Sequence, residues 1–122
     1  MTYMLRQEVE VWYIIPAIRK ELARLLTEKY GLSYEKAGKV LGISKAAVSQ
    51  YLSNKRANKV CLNAETKAEI GKSAEKIGES PKVAIVEMNR ILDWMRENKC
   101  SCTACRKYNK EVLEYCNCEY EY

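Results

Sequence analysis

The sequence predicts an all-α fold: a bundle of about five helices with a small Cys-rich C-terminal appendage. Three observations lead there. Apolar residues recur near helical period in several segments, as at Ile14, Ile18, Leu22, Leu25 and Leu26. Capping and stop residues divide those segments into helices of ordinary length. Five of the six cysteines are gathered after Lys99, where aliphatic content falls away.

The first helix is expected over Val9 to Tyr30. Pro16 should kink it or mark a first turn, leaving Val9 to Ile15 as a separate short segment. Gly31 stands where a left-handed stop falls, with Leu32 as its packing cap. Ser33 caps a short helix from Tyr34 to Leu41, Gly42 and Ile43 turn the chain, and Ser44 caps the next helix, Lys45 to Leu52. A polar, basic loop runs from Ser53 to Asn58. Asn63 caps a helix from Ala64 to Gly78, with its stripe at Ile70, Ala74 and Ile77. The Ser80 hydroxyl and Pro81 open the last helix, Pro81 to about Asn98, which is expected to bury Ala84, Met88, Ile91, Leu92 and Met95. Trp12 and Trp94 are expected as core or dimer anchors. No segment is read as a strand.

The stretch YEKAGKVLGISKAAVSQYLS carries the functional argument. Two short helices cross steeply only where their contact is small, and Ala37 and Gly38 supply such a contact. Gly42 follows four residues on, at a turn that needs positive φ. Val48, ten after Gly38, and Tyr51 and Leu52, thirteen and fourteen after it, fill the inner face of the second helix. This is the helix-turn-helix pattern. Alanine is the usual residue at the first small site, and Gly38 costs helix propensity on the order of 1 kcal/mol.

With Val48 and Leu52 inward, Lys45, Ala46, Ser49, Gln50 and Ser53 point outward, the positions that enter a major groove. Gln50 suits adenine, Lys45 suits guanine, Ser49 suits either, and Ala46 can meet a thymine methyl. Tyr34, Ser44, Asn54, Lys55 and Arg56 flank that helix, where phosphates run. The net charge of +5 is uneven: between Lys36 and Ala64 lie Lys36, Lys39, Lys45, Lys55, Arg56 and Lys59 with no acid. Such a local cationic field suits double-stranded DNA.

The tail reads Cys100-Ser-Cys102-Thr-Ala-Cys105, then Cys116-Asn-Cys118. These spacings let several thiolates converge on one centre, and Lys99, Arg106, Lys107 and Lys110 favour the thiolate form. Five cysteines exceed the usual four ligands. An iron–sulfur cluster, a structural zinc and reversible thiol–disulfide exchange all remain open on chemistry alone, because the spacing matches neither the ferredoxin nor the zinc-ribbon pattern. Each predicts a tail that folds only with its ligand or bond. Isolated Cys61 reads as a small half-buried hydrophobe, and the Tyr-rich end (Tyr115, Tyr120, Tyr122) as a cover for the metal site or an interface.

At these residues the chain resembles a family. VWYIIPAIRKELARLLTEKYGLS and KVLGISKAAVSQYLSNKR are similar to the archaeal Cro/repressor-like (XRE-type) helix-turn-helix regulators with a cysteine-rich C-terminus, proposed to carry an iron–sulfur cluster. The resemblance covers about residues 5 to 60, and the tail by cysteine content. The same half resembles the DNA-binding part of larger archaeal metabolite-sensing repressors, whose ligand domain has no room in this length. The resemblance implies a homodimeric transcriptional regulator and favours an iron–sulfur cluster, of 4Fe-4S type, over zinc.

The expected organisation is a DNA-binding domain over 1–62, a helical dimerisation region over 63–98 and a Cys-rich metal or iron–sulfur tail over 99–122. Absence of His, of a Gly-rich phosphate loop and of a convergent carboxylate pair argues against an enzyme or a small-molecule substrate. The longest apolar run, Val11 to Ile15, is closed by Pro16, so no membrane segment is expected and the cytoplasm is the expected compartment. The expected function is sequence-specific transcription regulation with a redox- or iron-responsive cysteine cluster. The alternative is a zinc-stabilised bridging protein of the transcription machinery.

Overall fold

A computed structural model describes residues 5–53 and 62–98, and these are helices and connecting turns with no strand among them. The order is α1 (Arg6–Val9), a π-helical turn (Glu10–Ile14), α2 (Ile15–Glu28), α3 (Tyr34–Leu41), α4 (Lys45–Leu52), α5 (Ala64–Glu79), a 3₁₀ turn (Pro81–Val83) and α6 (Ala84–Glu97).

The first three elements follow one another without a gap in one rod, and Pro16 falls in the first turn of α2, one of the two roles expected for it. Proline has no N–H, and its ring crowds the carbonyl four residues earlier. Here the helix widens just ahead of Pro16: the Ile15 N–H donates to the Glu10 carbonyl, five residues back. One π turn absorbs the misfit without a break.

The local signals act as expected at four boundaries. Ser33, Ser44 and Asn63 accept the N–H of Lys36, Ala47 and Thr66 at 3.1, 3.0 and 2.8 Å. Gly31 takes φ 71°, and the Leu32 N–H returns to the Leu26 carbonyl at 2.9 Å, while Leu32 packs against the core. The last helix differs. The Ser80 hydroxyl makes no cap; its carbonyl accepts the Val83 N–H at 3.1 Å, and Pro81 opens a 3₁₀ turn before α6 begins at Ala84.

α2 lies at the centre, packed against α3, α4 and α5, and α6 closes over α5. Ile18, Leu22 and Leu26 are fully buried, and one apolar cluster runs from Val9 through Val48 and Ile70 to Met95. In α6, Ala84, Ile91 and Met95 are buried as expected, whereas Met88 and Leu92 sit at the margin and Glu87 takes an inner position. Trp12 is not a core residue: it stands 69% exposed.

The sequence reading missed two polar clusters that fasten α6. Arg90 donates to the Glu69 and Glu87 carboxylates at 2.9 and 3.1 Å and to the Ser73 hydroxyl at 2.7 Å, and Ser73 donates to Glu87 at 2.9 Å. Arg96 grips buried Glu10 through two bonds of 2.7 and 2.9 Å, tying the end of α6 to the π turn. Burial pushes the Glu87 carboxyl up, but the bonds from Ser73 and Arg90 outweigh it and hold the group below its ordinary value of 4.5. Its contribution is therefore complete above about pH 4.5 and is lost as pH falls through the lower folded-state value. Glu87→Gln is expected to lower stability at pH 7 and to flatten the acid limb, as read by urea unfolding at pH 7 and pH 3.

Candidate nucleic-acid interface

α3 and α4 pack together, and the turn between them passes α3 at a backbone contact. A Cβ added at Gly38 would stand 2.7 Å from the Ile43 carbonyl oxygen and 3.3 Å from the Ser44 carbonyl carbon. The missing side chain is thus the space through which the turn passes, which answers why alanine is not found here. Ala37 beside it is fully buried. Gly42 caps α3 at φ 73°, and the Ile43 N–H returns to the Gly38 carbonyl at 2.9 Å.

α4 docks through Ala47, Val48 and Tyr51. Tyr51 is buried and Leu52, half-buried, packs against the core, so both fill the inner face as expected. The outer face keeps its expected members: Lys45, Ala46, Ser49 and Ser53 are exposed and Gln50 is half-buried. Eight residues of α-helix span about 12 Å, comparable to the width of a major groove.

The rim is polar and locally cationic. Ser44 is exposed; its oxygen receives the Ala47 N–H, which leaves its hydroxyl proton free to donate outward. Tyr34 is 41% exposed at the start of α3. Among the described residues, Lys45 has no carboxylate partner, and neither has Lys36, an exposed first-turn cation of α3 not singled out from the sequence. Its signal was the acid-free run to which it belongs. Lys39 stands 3.9 Å from Glu35 with both ends exposed, a pair of little energetic weight. Asn54, Lys55 and Arg56 lie outside the described residues.

The tail ligand candidates Cys100, Cys102, Cys105, Cys116 and Cys118 also lie outside the described residues, as does Cys61. Among the described residues no group of His, Cys, Asp or Glu is placed to hold a metal ion. No helix among them is long and apolar enough to cross a membrane. No protein-family model matches the chain, and neither a curated protein nor a solved structure matches it.

Three glycines separate contact from conformation. Gly38→Ala is expected to destabilise by roughly 1–3 kcal/mol, because the backbone it would strike cannot yield as a side chain does. Gly42→Ala should cost about 1 kcal/mol through its left-handed φ alone, since its Cβ meets nothing within 4 Å. Gly71→Ala, inside α5 and equally open, should stabilise by about 0.5–1 kcal/mol. Thermal unfolding of the three variants checks that order.

Proposed function

We propose that the chain is a sequence-specific DNA-binding transcriptional regulator that acts as a pair of copies, with the tail cysteines as a redox- or iron-responsive element. The observation that carries this reading is the outer face of α4. Small and polar residues without an acid are held outward on a helix whose inner face is docked across α3. An ordinary hairpin of bundle helices does not require such a face, nor a basic segment after it.

In this reading α4 lies in the major groove. Gln50 offers paired donor and acceptor to adenine, Lys45 donates to guanine oxygen and nitrogen, Ser49 bonds either purine, and Ala46 meets a thymine methyl. Ser44 and Ser53 sit at the two ends of that helix, and Ser44, Tyr34, Asn54, Lys55 and Arg56 meet phosphates and set the docking angle. Two copies would place two such helices about one turn of DNA apart, on a palindromic site.

For the tail, four of the thiolates among Cys100, Cys102, Cys105, Cys116 and Cys118 would hold a 4Fe-4S cluster, with a single zinc as the alternative. A cluster, when bound, supplies reversible electron uptake and sensitivity to oxidants. Its loss would change how the two readers are spaced, and so the affinity for DNA. The chain has no histidine, so cysteine is its soft ligand for either metal.

Selection from a random duplex pool tests the reader, with recovery of one enriched palindrome expected and no enriched sequence overturning it. Gln50→Ala should then cost roughly 1–3 kcal/mol at one base pair and relax specificity there. Lys55→Ala should weaken all sequences alike and lower the salt slope by about 0.9 per lost phosphate contact. For the tail, anaerobic purification with a visible spectrum and iron, sulfide and zinc analysis should give brown protein with iron and sulfide. Colourless protein with one zinc per chain would assign the alternative, and equal DNA affinity with and without the metal group would end the switching idea.

A further inference from the structure

The first helical rod carries a stripe that is exposed at Leu5, Glu8 and Trp12 and half-buried at Pro16, Arg19 and Lys20. Leu5, Glu8, Trp12 and Pro16 follow one another at steps of three or four residues, and Arg19 and Lys20 come three and four after Pro16, which keeps them on one side of the helix. Leu5 is 64% exposed, Trp12 69% and the adjoining Val11 59%. Trp12, Leu5 and Val11 together form an exposed apolar patch on a helix anchored behind by Val9 and Ile14.

The charges on the stripe are ordered. Glu8 lies one turn before Trp12, and Arg19 and Lys20 lie about two turns after it. None of the three forms an ion pair among the described residues, whereas Arg24, Arg90 and Arg96 each hold a carboxylate. Glu8 receives the Leu5 N–H at 2.9 Å, and the Nε of Arg19 is buried with no acceptor. The sequence of the stripe is thus acid, indole, proline, base. A surface ordered in this way complements itself when turned end for end.

We infer that this stripe is a homodimer interface, in which two first helices pack antiparallel about a twofold axis. Trp12 of one copy lies over Pro16 of the other, and Glu8 of each faces Arg19 and Lys20 of its mate. A parallel arrangement is disfavoured, because it sets Glu8 against Glu8 and Lys20 against Lys20. A twofold contact repeats each pairing twice, so modest charge pairs count double. The other exposed apolar pair, Ile85 and Val86 on α6, lacks this order: Lys82 flanks it on one side, but Asp93 on the other is already bound by Arg96 at 3.0 Å. The inference rests on the pairing proposed above and places its surface on the first helical rod, in place of the 63–98 region expected from the sequence.

The test is sedimentation equilibrium of the full chain, kept reduced and free of oxygen so that tail cysteines do not cross-link. Helical circular dichroism of each variant verifies its fold. The wild type is expected to be a dimer. Trp12→Lys should raise the dimer Kd by about 30-fold or more, as loss of a central aromatic anchor does. Glu8→Lys and Lys20→Glu should each raise it by roughly tenfold, with each reversed pair repeated by the axis, and the double variant should recover most of the loss. Ile85→Asp should leave it unchanged. A monomeric wild type overturns the interface, whether the stripe is then covered by the chain's own tail or by another protein. So does a dimer that tolerates Trp12→Lys or is broken by Ile85→Asp. The duplex selection is read separately. A monomer that still selects one sequence sinks the interface and leaves the DNA reader standing, and a Trp12-dependent dimer that selects none does the reverse.

Discussion

No side chain fits between α3 and the turn that follows it. The Ile43 carbonyl passes so close to Gly38 that even a methyl group would stand 2.7 Å from it. That approach lets the chain reverse within three residues and lay α4 across α3. Val48 can then join the apolar cluster built on Ile18, Leu22 and Leu26, with Leu52 packed against it, while Lys45, Ser49 and Gln50 turn outward. Propensity alone would place alanine at this site, since glycine costs a helix about 1 kcal/mol. The close approach outweighs that loss, and the outer face of α4 depends on it.

The second fastening is polar. α6 is held not only by Ala84, Ile91 and Met95 but also by two arginine clamps, Arg90 on Glu69 and Glu87, and Arg96 on Glu10. A carboxylate as buried as Glu10 is tolerable only with its cation in place, so the pair fixes one register of α6 against the π turn. The same π turn presents Val11 and Trp12 to the outside. The end of the last described helix, which leads into the cysteine tail, is thereby joined to the stripe proposed to bring two copies together.

Much of this architecture was legible because it is local. Ser33, Ser44 and Asn63 cap because a short polar side chain can reach the N–H three residues on. Gly31 and Gly42 end helices because they alone take positive φ without cost. The spacing of small and apolar residues set the outward face of α4 for the same reason, with Val48, Tyr51 and Leu52 turned inward. Of the cysteine tail only composition and spacing were legible. Cysteine spacing does not choose between a cluster, a zinc ion and a disulfide.

Taken alone, the chain's order of residues determined where the main helices of the described residues lie, the caps at Ser33, Ser44 and Asn63, the stops at Gly31 and Gly42, and the basic, acid-free stretch around α4. Tertiary structure decided what depends on residues far apart in the chain or on strain shared between neighbouring turns. Glu10 meets Arg96 across 86 positions, and Ser73 meets Glu87 across 14; no periodicity announces either. Pro16 is accommodated by a wider turn just ahead of it, and the residues on both sides, Ile14, Ala17 and Ile18, are buried. Trp12 faces outward because Val9, Glu10 and Ile14 already fill the inner side. A helix has only so much inward surface, and packing, not hydrophobicity alone, allots it.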